Sequence, residues 1–97
     1  MNNIVYIVQD SPGKNLLPAK EFGELFILLT GNETTTQAIE KLKTKLNLFG
    51  PNDCLLLIGN PLYIGIATHI ALQKSPQLNV LLWDRDHYRY NKETIKP

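Results

Sequence analysis

A chain of 97 residues, 43% of them hydrophobic, allows one domain whose core is near the lower limit of what folds without disulfides or metal. Ten Lys and Arg against nine Asp and Glu give a formal charge of +1, which excludes a global bias toward nucleic acid, anionic membrane or acidic partners, so any electrostatic specialisation is local. The longest apolar run is about five or six residues against roughly 20 for a bilayer crossing, and the start Met1-Asn2-Asn3 has no basic n-region, so neither a membrane span nor a signal peptide is expected.

Taken in chain order, Ile4-Val5-Tyr6-Ile7-Val8 is a β-branched and aromatic run stopped by Gln9-Asp10-Ser11-Pro12-Gly13, which predicts a first strand and a turn. Lys14 to Glu24, with apolar residues between Pro18 and Gly23, suits a short helical turn. Leu25 to Thr30 is the second strand, closed by Gly31-Asn32. Thr34 with Gln37 three residues later matches a capping box, so a helix starts there. Ala38, Ile39, Leu42, Leu46 and Phe49 recur at helical spacing, and Gly50-Pro51 is expected to end the helix with a left-handed cap.

Asp53 opens a third strand, Cys54-Leu55-Leu56-Leu57-Ile58, apolar at five consecutive positions. A strand with one wet face would alternate, so this one belongs in the middle of a parallel sheet. Cys54, the single cysteine, has no internal disulfide partner and reads as a buried thiol in a reducing, cytosolic setting. Gly59-Asn60-Pro61 then leads into a second helix with Leu62, Ile66, Ala67, Ile70 and Ala71 as its apolar stripe, broken at Ser75-Pro76. Asn79 to Trp83 is strand four, and Asp84-Arg85-Asp86 turns into a last strand, His87 to Asn91.

This order predicts an α/β fold, a small mostly parallel open sheet of about four to five strands with two main helices and a C-terminal hairpin. Residues 1–91 form the single domain and 92–97 a flexible C-terminal tail. With the strands parallel, the turns at Gln9 to Lys14, Thr30 to Asn32, Gly59 to Pro61 and Asp84 to Asp86 share one carboxyl edge, the usual ligand crevice of such sheets.

Three blocks, Val8-Gln9-Asp10-Ser11-Pro12-Gly13-Lys14-Asn15, Gly59-Asn60-Pro61-Leu62-Tyr63-Ile64-Gly65-Ile66-Ala67 and Leu81-Leu82-Trp83-Asp84-Arg85, resemble those of short uncharacterised proteins encoded by tailed bacteriophages. The resemblance covers most of the chain. It implies a phage gene expressed in the host bacterial cytoplasm and carries no activity with it.

Known chemical motifs are missing. Gly13-Lys14 lacks the earlier glycine and the following Ser or Thr of a P-loop, where Val8 and Asn15 stand instead. Gly59 and Gly65 fail the dinucleotide pattern because Pro61 occupies its second glycine. No catalytic residues, metal ligands or cofactors are assigned, since His69 and His87 are unpaired and Ser11 and Ser75 have no local base. Asp10 and Asp84 end two parallel strands and would be an acid/base or cation-binding pair if they met across the crevice; otherwise they cap turns.

The C-terminal hairpin differs in kind. Both arginines, Arg85 and Arg89, lie among Trp83, Tyr88 and Tyr90, a composition enriched at protein interfaces and equally suited to a soluble edge strand. Nucleic acid is the weaker partner class because Asp84 and Asp86 dilute the positive charge. Two readings follow. The first is a non-enzymatic phage accessory or regulatory protein binding a host or phage macromolecule, chiefly protein, through Trp83, Arg85, Tyr88, Arg89 and Tyr90. The second is a nucleotide or phosphometabolite binder, a sponge or hydrolase, that holds a small phosphorylated ligand with Asp10, Lys14, Asn60 and Arg85. Homo-oligomeric state is not encoded in any pattern here.

Overall fold

The computed structural model describes residues 3–97; Met1 and Asn2, part of the uncharged start, lie outside the described residues. The chain runs β1 (Ile4–Gln9), a 3₁₀ helix (Leu17–Phe22), β2 (Glu24–Leu29), α1 (Thr35–Lys45), β3 (Cys54–Leu56), α2 (Pro61–Lys74), β4 (Leu78–Asp84) and β5 (Arg89–Ile95). One sheet contains all five strands in the order β2-β1-β3-β4-β5. The first four are mutually parallel and β5 returns antiparallel to β4, which gives the expected α/β sheet with two main helices and a C-terminal hairpin.

Side-chain alternation splits the interior into two layers. Tyr6, Val8, Leu28, Leu55 and Val80 point to one face, where Ala38, Leu42 and Leu46 of α1 and Ala67, Ile70 and Ala71 of α2 cover them. Val5, Ile7, Cys54, Leu56 and Leu81 point to the other, where Ala19 of the 3₁₀ helix and Tyr90 of β5 are their buried neighbours. Two full helices roof the first face. A single short turn of helix roofs the second, and that imbalance leaves part of it accessible.

Local signals explain the element boundaries. Thr34 Oγ1 accepts the Gln37 backbone N–H (3.2 Å) while Gln37 Oε1 accepts that of Thr34 (3.0 Å), the capping box read from sequence. The helix ends at Lys45 rather than continuing to Phe49, and Gly50 is not a left-handed cap. Its N–H is instead held by Asp53 Oδ2 (2.9 Å), whose Oδ1 takes the Ile4 N–H at the same distance. Strand β3 has three residues rather than five, because the Ile58 N–H turns back to the Leu56 carbonyl (3.0 Å) while the Ile58 carbonyl receives the Gln9 N–H (3.1 Å). In α2, Leu62 is exposed, and Tyr63 and Ile64 pack on the core in its place.

The expected tail at 92–97 is corrected most. Residues 92–95 belong to β5, which pairs with the whole of β4 down to Leu78 opposite Ile95. Thr94 Oγ1 donates to Asn79 Oδ1 (2.7 Å), and Asn79 Nδ2 donates to the Pro51 and Asp53 carbonyls (2.8 and 3.0 Å). Lys92 and Glu93 are therefore charges on an edge strand, where they discourage further pairing, rather than marks of a loose end. These contacts tie the amino edge of the sheet together. The carboxyl edge is where the chain is open.

Candidate functional site

The turns after β1, β2, β3 and β4 lie on the same edge because those strands are parallel. In an open sheet the natural crevice is the point where strand order reverses, here between β1 and β3. Gln9 closes it. Its Oε1 accepts the Asn60 N–H (2.8 Å), and its side chain lies so close to Gly59 (φ 124°) that a Cβ there would sit 2.8 Å from that same Oε1. Asn60 in turn caps α2, its Oδ1 accepting the Leu62 N–H (2.9 Å), with Pro61 in the first turn. The turn after the central strand is thus occupied by Gln9 of β1 and by its own Asn60.

The opening lies one strand further along. A groove of about 590 Å³ runs over the carboxyl ends of β3 and β4 on the face that carries the 3₁₀ helix. Leu56, Ile58 and Leu81 give it an apolar floor. One wall is the loop Gly13-Lys14-Asn15 and the other is the hairpin, with Trp83, Arg85, Tyr88 and Tyr90. The Tyr90 hydroxyl donates to the Asn15 carbonyl (2.9 Å) and joins the two walls. Burial pushes the Tyr90 phenol above its usual pKa, so this donor stays protonated well past neutrality.

Three rings define the hairpin wall. Trp83 meets Tyr90 edge to face with centroids 4.9 Å apart and interplanar angle 65°, and meets Tyr88 at 6.4 Å and 73°. Tyr90 is buried, whereas Trp83 is 41% and Tyr88 77% exposed. Tyr88 also has φ 51°, the only positive value among described residues other than glycine, and it closes the four-residue loop from Arg85. The loop is pinned from its base. Asp84 Oδ1 accepts the Asp86 and His87 N–H groups (3.0 and 3.3 Å), and Oδ2 meets His87 Nδ1 (2.8 Å) and the Asn91 amide (3.3 Å). The His87 contact, with these smaller ones, lowers the Asp84 carboxyl below its usual range.

The candidate residues therefore separate. Lys14, Trp83, Arg85, Tyr88 and Tyr90 line one groove. Asp10 does not line it, and Asn60 is spent as a helix cap. Arg89 is turned away to Glu21 of the 3₁₀ helix (3.1 Å). Asp10 and Asp84 do not meet across the crevice, since β3 separates their strands by a lateral offset of roughly 10 Å; Asp84 instead caps its turn, the alternative reading of that residue. The His87 side chain is largely exposed, and its Nδ1 meets Asp84.

Electrostatically the lining of the groove is one-sided, while Asp84 and Asp86 flank Arg85 in the chain outside that lining. Lys14 and Arg85 are its charged lining residues, and no carboxylate lines it. Neither makes an ion pair among the described residues, whereas Lys41 and Arg89 do. A second cleft, of about 470 Å³, runs along α1, and Thr30, Glu33, Gln37, Lys41 and Lys45 of its lining are engaged locally. There Glu33 accepts the Thr30 and Gly31 N–H groups and the Lys41 ammonium, each at 2.9 Å. Burial works against ionisation of Glu33, yet these donors together hold its carboxyl far below the usual range. Cys54 is buried, and burial pushes its thiol up, which disfavours the thiolate. No group of three or more His, Cys, Asp or Glu among the described residues could hold a metal ion, and no helix there is long and apolar enough to cross a membrane.

Gln9, Asn15 and the floor residues Leu56, Ile58 and Leu81 were not legible as site residues. Gln9 reads as turn composition and the floor as core. The contact between Tyr90 and Asn15, 75 positions apart, joins the groove's two walls, and no local pattern reports it.

Compared with known families, the chain matches the model described as Phage Pam3 gp32-like protein over residues 3–97. No curated protein and no solved structure matches it.

Proposed function

The chain belongs to the Phage Pam3 gp32-like protein family, and from that premise we infer that it is a non-enzymatic phage accessory protein of the host bacterial cytoplasm. Its role is to bind a protein partner through the hairpin and the adjoining carboxyl edge. The observation that carries this reading is the gathering of Trp83, Arg85 and Tyr88, with Lys14, around one apolar-floored groove. Exposed Trp, Tyr and Arg over a desolvated floor is the composition of interface hot spots, where a few residues supply most of the binding energy. Asp84, His87 and the buried Tyr90 hold that wall in shape before any partner arrives, which reduces the ordering cost of association.

Removal of the hairpin is not a usable test, because β5 completes the sheet. Point variants serve instead. Tagged wild type, Tyr88→Gly and Arg85→Glu would be used as baits in host lysate, with and without phage infection. The expected result is a partner recovered by wild type and lost by both variants at unchanged melting temperature. Identical recovery by all three would overturn the reading.

A second reading retains support from the groove's size, which falls within the range of small-ligand pockets, roughly 300–1,000 Å³. A nucleotide or phosphometabolite would place its phosphate between Lys14 and Arg85 rather than at the turn after β3. Thermal shift with ATP, GTP and sugar phosphates tests it, since a ligand of the native state must raise the melting temperature.

A further inference from the structure

We propose that the groove receives an acidic peptide segment carrying one bulky apolar or aromatic side chain, a partner chemistry that rests on the protein-binding reading above. The apolar side chain sits on Leu56, Ile58 and Leu81, and flanking carboxylates reach Lys14 and Arg85. Three features select this occupant.

Charge is the first. Lys14 comes from the loop after β1 and Arg85 from the hairpin, so two elements distant in sequence each bring one cation to the same concavity, with no carboxylate lining it. Some cations elsewhere in the chain are engaged, Lys41 by Glu33, Arg89 by Glu21 and Lys45 by the Leu28 carbonyl, while others on the open surface are not. The groove's pair has none among the described residues. An occupant with carboxylates flanking its anchor complements that arrangement, and Arg85 offers the planar fork that matches a carboxylate.

Ring geometry is the second. Trp83 stands at 65° to Tyr90 and at 73° to Tyr88, so the rings form no parallel slot in which a nucleobase would be sandwiched. Edges and faces set nearly at right angles accept a third ring edge to face, or an aliphatic chain against the apolar floor. The third feature is the lack of a phosphate cradle. The nearest helix start on this edge, that of α2, already spends its Leu62 N–H on Asn60, while Gln9 takes the N–H of Asn60 itself. Carboxylates held by two side-chain cations fit what remains.

The chain's single tryptophan is in the groove, so its fluorescence reports occupancy directly. The full chain would be titrated with the blocked pentapeptide Glu-Asp-Phe-Asp-Glu, its neutral analogue Gln-Asn-Phe-Asn-Gln, the acidic analogue with Ala in place of Phe, and ATP. The expected result is a saturable shift of Trp83 emission with the first peptide, at least about tenfold weaker binding of both analogues, and a similar loss in Lys14→Ala and Arg85→Ala. Added salt should weaken the first peptide and leave the neutral one unaffected. Equal binding of the neutral analogue, a saturable response to ATP alone, or no response to any peptide would overturn the proposal. In the last case, continued loss of the captured partner by Tyr88→Gly would leave the protein-binding reading standing while this peptide chemistry fell. Failure of both experiments would remove the two together.

Discussion

Replacing Gly59 with alanine tests whether the crevice between β1 and β3 is sealed by Gln9. At φ 124° the new side chain is in a region that L residues rarely adopt, which costs roughly 1–3 kcal/mol. Its Cβ would overlap Gln9 Cβ and approach Oε1 to 2.8 Å, and because Gln9 Cβ is fixed by the backbone, a change of rotamer cannot relieve the first contact. Displacing Gln9 also breaks its bond to the Asn60 N–H, worth about 0.5–1.5 kcal/mol. Together the loss is about 2–4 kcal/mol, and in a domain of this size each kcal/mol lowers the melting temperature by about 4–8 °C. Urea unfolding followed by circular dichroism measures it. Gly65→Ala is the internal control: a Cβ there meets nothing within 4 Å, and in the middle of α2 it should stabilise by about 0.5–1 kcal/mol. A cost below about 1 kcal/mol at position 59 would mean that Gln9 yields freely, and the switch-point crevice would return as a candidate site.

Four further outcomes are expected. Glu33→Gln should lose about 1–3 kcal/mol at pH 7, because it removes charge from an acceptor of two backbone amides and Lys41. Since folding lowers this carboxyl, its contribution is complete above the ordinary glutamate range, about pH 4.3, and declines as the pH falls below it toward the much lower folded value; the gap between urea melts of the two proteins should therefore narrow from pH 7 to pH 3. Thr34→Ala should cost about 1 kcal/mol in the same assay by opening the capping box. Tyr90→Phe should cost a similar amount, about 1 kcal/mol, and shift the amide resonances of Gly13 and Asn15 in NMR spectra, since the wall-to-wall bond to the Asn15 carbonyl is gone. Cys54 should react with a thiol reagent only at the rate of unfolding, being buried with its thiolate disfavoured, and rapid labelling of the native protein would contradict this placement.

Much of the fold was readable because its signals are local. The run Ile4 to Val8, the Thr34/Gln37 box and the five apolar residues from Cys54 each reflect neighbours within one turn or one strand. Misreadings occurred where a distant partner decides. Lys92-Glu93-Thr94 has the polarity of a tail, and only pairing with Leu81, Val80 and Asn79 makes it a strand. Phe49 keeps the helical spacing of α1, but Asp53 draws Gly50 and Ile4 together and the chain leaves the helix first. For the site, residue type picked out Lys14, Trp83, Arg85, Tyr88 and Tyr90, since cations and rings are conspicuous near turns. It also picked out Asp10, Asn60 and Arg89, whose surroundings separate them from the groove. Type alone cannot distinguish a group left open from one already satisfied.

The position of β5 has a consequence for how the protein comes into being. The sheet order β2-β1-β3-β4-β5 places the last-synthesised strand, β5, at an edge beside β4. Leu16 and the neighbouring Asn15 carbonyl must wait for Tyr90, translated 75 codons after Asn15, before their side of the sheet is closed. The hairpin wall of the groove is thus the last part of it to be synthesised. Until Tyr90 is synthesised, the groove lacks the bond that joins its two walls.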